Sequence, residues 1–249
     1  MTIDPYTTAI VLTILFLAVL ARSTFGFGDA LVAMPLLSLI GGIDTVHFSK
    51  PLVAIISAVT ATCIIAKDWK SIEWKSAAWL ILAAAAGIPL GLFFLTAANE
   101  RVVKMLLAVV VISFSLFALV QPRLPLLKTG RTALLFGFLA GILGGAYNAH
   151  GPPLVVYGAL RRWPADRFRA TLQAYFLPTS LLIVCGDGVR GLWTADMFRH
   201  FLYALPLVFL AVLLGRRLNA RFSVERFTKS LYILLLAIGV LLLATAVKG

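Results

Sequence analysis

Charge is what this sequence has least of. Of 249 residues only 13% are Asp, Glu, Lys or Arg, against about 25% in a soluble globular domain, so the chain is built for a solvent other than water. Acidic side chains are scarcest, ten against 22 Lys and Arg, and no two are adjacent. Cys63 and Cys185 are the two cysteines, each inside an apolar stretch and without CxxC or Cys/His spacing. That excludes a disulfide framework and a metal site, and nothing in the chain calls for a cofactor. No polar stretch is long enough to make a soluble domain. Met1–Tyr6 contains Asp4 and no basic residue, so the first apolar block reads as mature protein rather than as a cleavable signal, which wants a positive start.

What is there is apolar, at 61% of residues, in blocks such as Leu31–Ile40, Ala77–Ala98, Val102–Val120 and Leu231–Val247. About 20 apolar residues carry a helix across the hydrocarbon core. The blocks are continuous rather than alternating, which excludes an outer-membrane barrel. The fold class is an all-α polytopic membrane protein. A formal charge of +12 points to nucleic acid in a soluble protein. Here most Lys and Arg lie between apolar blocks, where they meet lipid headgroups and set orientation, so no nucleic-acid partner is expected.

Ten apolar segments divide into two sets of five: 7–22, 29–41, 48–66, 76–97 and 102–120, then 131–146, 151–160, 168–186, 197–217 and 227–247. Lengths recur in the same order, with the second of each set short. The expected domains are a first repeat over 1–120, a cytoplasmic linker over 121–130 with two prolines and two basic residues, and a second repeat over 131–249. A piece of about ten to thirteen residues is too short to cross ~30 Å. Each short piece, with the block before it, therefore reads as a broken or re-entrant element, tolerated at membrane depth only inside the protein or along a wet cavity. Loops near 67–75, 121–131, 161–169 and 216–229 hold fifteen Lys and Arg, and the opposite side holds six. The positive-inside rule makes the rich side cytoplasmic and both termini external. The halves then read as two inverted-topology repeats, each with a broken element plus three full transmembrane helices. That pattern points to a secondary transporter with a midplane site.

Two stretches mark the breaks. Gly26 to Pro35, GFGDALVAMP, aligns without a gap over Gly144 to Pro153, GGAYNAHGPP. Half-helix N-termini carry free N–H groups and partial positive charge, which favours a small anion. The substrate-binding candidates are Arg22, Phe27, Gly28, Asp29, Tyr147, Asn148, His150, Gly151 and Gln173, and the proton-coupling candidates are Asp29 and His150. Two readings stand for Asp29: an N-cap of the short helix, or an intramembrane acid that carries a proton or pairs with Arg22 or Lys50. Arg22 is either a bidentate clamp for an oxyanion or a side chain snorkelling to an interface. His150 titrates near neutral pH or caps a helix end. Gln173 needs a partner, either substrate or a neighbouring helix, as does Tyr175. Lys50, beside Pro51, reads as headgroup-facing. Gly87, Gly91, Gly137 and Gly141 have the four-residue spacing of close helix packing.

Gly26-Phe27-Gly28-Asp29 also spells the GxGD of intramembrane aspartyl proteases, but that chemistry needs a second carboxylate. Upstream there is only Asp4, while Asp44, Asp166, Asp187 and Asp196 fall in loops or at helix ends. A dinucleotide fingerprint fails for want of a third glycine and a preceding strand. An enzyme is not expected, and an anion channel or a structural membrane subunit remains the alternative.

The two stretches, followed by Leu154-Val-Val-Tyr157 and by Phe168-Arg-Ala-Thr-Leu-Gln-Ala-Tyr-Phe176, resemble the sulfite exporter TauE/SafE family over essentially the whole chain. The resemblance implies movement of sulfite, sulfoacetate or related sulfur-containing organic anions across the cytoplasmic membrane. One departure is Gly28-Asp29-Ala30 where the family often has a run of glycines. An acid there repels an anion unless it is protonated or paired.

Overall fold

The computed structural model describes residues 4–40, 42–97, 99–120, 126–127, 130–221 and 224–248. Among these, the regular structure is helical throughout, with no strand. The first half supplies α1 (Pro5–Phe25), α2 (Asp29–Ser38), α3 (Lys50–Asp68), α4 (Trp74–Ala97) and α5 (Glu100–Val120). The second supplies α6 (Thr132–Tyr147), α7 (Gly151–Leu160), α8 (Ala165–Val189), α9 (Ala195–Arg221) and α10 (Val224–Lys248). Each segment read from hydropathy is one helix. Most of the 121–130 linker lies outside the described residues.

Local chemistry sets the ends. The Asp4 carboxylate accepts from Tyr6 and Thr7 N–H at 3.2 Å, with Pro5 as the first helical residue, an arrangement that satisfies orphan donors. α1 stops at Gly26, whose φ of +89° is open chiefly to glycine. A π turn over Thr45–Ser49 leads directly into α3, a feature that apolar periodicity could not announce. Asp44 Oδ1 holds that turn by accepting from Val46 N–H at 2.7 Å and His47 N–H at 2.9 Å. Burial pushes the Asp44 pKa up, but these bonds and the His47 side chain outweigh it and hold the carboxyl below its usual value.

Five stretches are long and apolar enough to cross a membrane: Pro5–Phe25, Thr45–Ala66, Trp74–Leu95, Ala165–Val189 and Ala195–Asn219. Of the expected three full spans per half, two in each half, α3 with α4 and α8 with α9, are among them. α5 and α10 offer shorter apolar stretches among the described residues, and α1 is itself long enough to cross. The chain is a multi-pass membrane protein.

The principal packing partners are α4 with α6, α1 with α9, α3 with α8 and α5 with α10. α4 and α6 run parallel, since Leu80, Ala84 and Ile88 face Gly137, Gly141 and Gly145 in the same order. α1 and α9 are also parallel: Thr8 Oγ1 lies 3.1 Å from His200 Nε2, and Asn219 Nδ2 donates to the Thr24 carbonyl at 2.6 Å. α3 and α8 are antiparallel, with Lys50 beside Asp187 and Ser57 Oγ 3.3 Å from Ser180 Oγ. So are α5 and α10, where Arg101 donates to the Val247 carbonyl at 2.9 Å and the Phe114 and Tyr232 rings meet at 5.8 Å. One end of the bundle, the terminal face, gathers Thr8, His200, Phe48, Lys50, Asp187 and Val247. The other, the linker face, gathers Thr24, Cys63, Tyr157, Thr171 and Arg216.

The four-spaced glycines do what their spacing implies. A methyl group on Gly141 lies 2.5 Å from the Ala84 carbonyl oxygen and 2.7 Å from Ala84 Cα, so the backbones touch. Gly141→Val is expected to force α4 and α6 apart at a cost of about 1–3 kcal/mol. It is read as a lower thermal unfolding midpoint in detergent, and an unchanged midpoint would contradict the close approach.

Candidate functional site

The two breaks converge. Gly26 ends α1 with φ +89°, Gly28 opens α2 with φ +107°, and Asn148 ends α6 with φ +56° before His150 and Gly151 open α7. Left-handed caps therefore pair Gly26 with Asn148, and half-helix starts pair Asp29 with Gly151. The ungapped alignment of Gly26 over Gly144 is one helical turn out of register. Gly144 and Gly145 drew that alignment, but they serve packing: a methyl on Gly144 falls 2.5 Å from His150 Nδ1, and Gly145 faces Ile88. The starts of α2 and α7 lie together, with a methyl on Gly151 meeting the Phe27 ring at 3.6 Å. Edge-to-face contacts with Phe114 at 6.0 Å and Phe168 at 6.3 Å hold Phe27 in place.

At the centre of this meeting sits Arg22, with no solvent exposure, so the snorkelling reading is excluded. Its Nη1 donates to Asp29 Oδ2 at 2.5 Å and to Ser57 Oγ. Its Nη2 and Nε donate to Gln173 Oε1 at 2.9 and 3.3 Å. The planar fork stacks over Phe176 at 4.6 Å from the ring centroid. Gln173 then uses its Nε2 to donate to the Gly26 carbonyl at 2.7 Å. One buried amide thus satisfies both a guanidinium and the carbonyl freed where α1 ends. Asp29 is the first residue of α2, Gly28 is its N-cap, and no side chain caps that end. Of the two readings of Asp29, the N-cap is corrected and the pairing with Arg22 is the one observed: a fully buried cation needs a counter-ion more than a helix end needs a cap.

His150 approaches the same Phe176 from the other break. Its ring lies 4.9 Å from Phe176 and 5.9 Å from Tyr175, and it is within electrostatic reach of Asp29 and Arg22. It does not cap α7. His150 Nδ1, His150 Nε2 and Tyr175 Oη are buried without a hydrogen-bond partner among the described residues. Asn148 is committed elsewhere, its Nδ2 donating to the Lys50 carbonyl at 2.7 Å. Tyr147 ends α6 as a buried side chain and is not among the groups bonded to Arg22, Asp29 or Gln173. α7 begins Gly151-Pro152-Pro153, and prolines donate no N–H, so its start offers an anion a dipole but few hydrogen bonds.

One site residue, Ser57, and one buried cation outside the site, Lys50, were not legible as such. Ser57 gave no signal, being one hydroxyl in an apolar helix. Lys50 was read as headgroup-facing, yet it is fully buried and paired with Asp187 of α8, which is also fully buried. Pro51 beside it marks the start of a helix, not the membrane surface, and the π turn carries the chain further out. No group of three or more His, Cys, Asp or Glu arranged to hold a metal is present among the described residues.

Gln173→Leu removes an acceptor from a buried cation and a donor from the Gly26 carbonyl. A loss of about 1.5–3 kcal/mol is expected from the charged hydrogen bond alone, measured as a drop in thermal midpoint. Parental stability would show that neither bond matters.

Comparison with known proteins follows the same outline. The pattern of the family described as "Sulfite exporter TauE/SafE" matches residues 11–242. A protein of Cupriavidus necator named "Probable sulfite/organosulfonate exporter TauE" is 24% identical over 233 residues, covering 92% of this chain and 90% of its own. No solved structure matches. The matched span runs from within α1 to within α10 and so encloses both breaks and every residue around Arg22, and the chain belongs to the sulfite exporter TauE/SafE family, whose members are transporters rather than enzymes.

Proposed function

We propose that this chain is a secondary transporter that exports a small sulfur-containing or organic anion, of the sulfite or sulfonate kind, by alternating access at the junction of its two breaks. The observation that carries this is Arg22: a fully buried guanidinium at the meeting point of both half-helix starts, beside His150 and Tyr175 whose polar atoms are buried and unpartnered. An oxyanion with three oxygens fits the fork and those atoms together. The names of the family and of the Cupriavidus necator relative agree with that substrate class.

Asp29 occupies Arg22 at 2.5 Å, where a substrate oxygen would bind. Substrate and Asp29 therefore compete for one cation. Protonating Asp29 frees Arg22 and keeps the buried site neutral when a monovalent anion enters, so proton and anion move together. His150, within reach of both charges, is the second proton-coupling candidate. A site with Arg22, Gln173 and His150 almost wholly out of solvent matches the occluded state of a carrier better than an open channel.

The arrangement of two inverted repeats is supported by the packing. Exchanging α1–α5 with α6–α10 turns the α4–α6 contact into α9–α1, α4–α8 into α9–α3 and α1–α2 into α6–α7, all of which occur. α3–α8 and α5–α10 map onto themselves. A helix beside its own counterpart runs parallel when the two-fold axis follows the membrane normal, and antiparallel when the axis lies in the membrane plane. Both pairs are antiparallel, as inversion requires. The linker face carries the basic loops and is assigned to the cytoplasm, which puts both termini outside.

The test is a thermal-shift screen of purified protein with sulfite, sulfoacetate, taurine, sulfate and simple carboxylates. Sulfite or a sulfonate is expected to raise the midpoint, and Arg22→Lys to weaken its binding about tenfold or more, ~1.4 kcal/mol. Asp29→Asn is expected to tighten sulfite binding, because it removes the carboxylate that competes for Arg22. Substrate-dependent counterflow in liposomes separates carrier from channel. If no anion stabilises the protein and Arg22→Lys matches the parent, the reading fails.

A further inference from the structure

The Lys50–Asp187 pair takes no part in the site just described, yet both side chains are fully buried. It joins α3 of the first half to α8 of the second, at the terminal face. Arg190 lies within electrostatic reach of Lys50, one turn further out. Asp187 uses only Oδ1 on Lys50, and its Oδ2 is buried without a hydrogen-bond partner among the described residues. Two features tie the pair to motion. The π turn over Thr45–Ser49 ends at Lys50, and such turns are wide and recur at functional sites. The Lys50 carbonyl accepts from Asn148 Nδ2 at 2.7 Å, so the second break hangs on the residue that carries the ammonium.

We infer that Lys50 and Asp187 form the lock that closes the terminal face over the anion site; this rests on the alternating-access reading above. An ion pair suits the task because its worth depends on water. Away from water the two charges hold each other strongly, since separating them leaves each buried and unpaired. Once water enters, each is solvated and the pair contributes little. The contact thus favours fully shut or fully wet over any partial opening. The unpartnered Asp187 oxygen lowers the barrier between them, because the closed pair is incompletely satisfied. Movement of Asn148 when an anion reaches His150, two residues along, would pull on the Lys50 backbone and unseat the ammonium.

The test uses a cysteine reporter below the pair. Ser180→Cys, in a background with Cys63→Ala and Cys185→Ala, lies about two turns of α8 inward from Asp187. Membrane-impermeant maleimide is applied to intact cells and to inverted membrane vesicles. Adding Asp187→Leu alone, which leaves the Lys50 ammonium buried and unpaired in the closed form, is expected to speed labelling from the terminal face at least about fivefold, as the open population rises, and to leave labelling from the linker face unchanged. Exchanging the charges, Lys50→Asp with Asp187→Lys, is expected to return the slow rate. Equal labelling on both faces, or no change, would overturn the lock. Lys50→Met with Asp187→Leu, which leaves no buried charge, is expected to fold and to label no faster than the parent; its failure to fold would overturn the lock by making the pair a folding determinant. Sulfite binding by the parent, from the thermal-shift screen, is read separately. A lock that shifts in a protein that binds no anion would retire the transport reading and leave the gate standing.

Discussion

A guanidinium sealed from water has five N–H groups to place and no solvent to help. Arg22 places four of them on Asp29, Ser57 and Gln173, and rests its face on Phe176. Cation and partners together come from four helices: α1 carries the cation, α2 the acid, α3 the hydroxyl, and α8 both the amide and the ring. Satisfying one side chain therefore fixes the relative positions of a broken element and the two central helices. The carbonyl released where α1 stops is satisfied by the same Gln173. Cation and broken backbone are two debts to the hydrocarbon, settled by one residue.

The second break solves the same problem without a cation. Asn148 takes the left-handed cap and reaches the Lys50 carbonyl, while Gly144 leaves room for the His150 ring. Two prolines at the start of α7 reduce the donors that remain. The halves share a backbone plan but divide the chemistry: charge and hydrogen bonds from the first break, a titratable ring from the second. Phe176 touches both, and Phe27 against Gly151 keeps the two helix starts in contact.

Depth also separates the roles of the buried ions. The Arg22–Asp29 pair joins neighbouring parts of one half. Lys50 and Asp187 join the two halves at one face. Hydroxyl contact between Ser57 and Ser180 marks where α3 and α8 cross between these levels.

Ten helices, the membrane class, the two breaks and the family were legible in the residues, because apolar run length and the absence of charge act locally and need no knowledge of neighbours. Arg22, Asp29, Gln173 and His150 were also picked out, since a polar group in an apolar run is conspicuous wherever it packs. Which partner each would take was not legible. Asp29 had a helix end, Arg22 and Lys50 to choose from, Lys50 read as facing headgroups, and Ser57 gave no signal, because each reading depends on what lies across a helix interface. The register between the breaks was misjudged for a related reason: glycines needed for packing look the same in sequence as glycines needed for a left-handed turn. By itself the sequence determined where the chain must be helical and where it must break. Only the tertiary structure decided which charges meet, because in a medium without water a side chain's role is set by the one partner within reach.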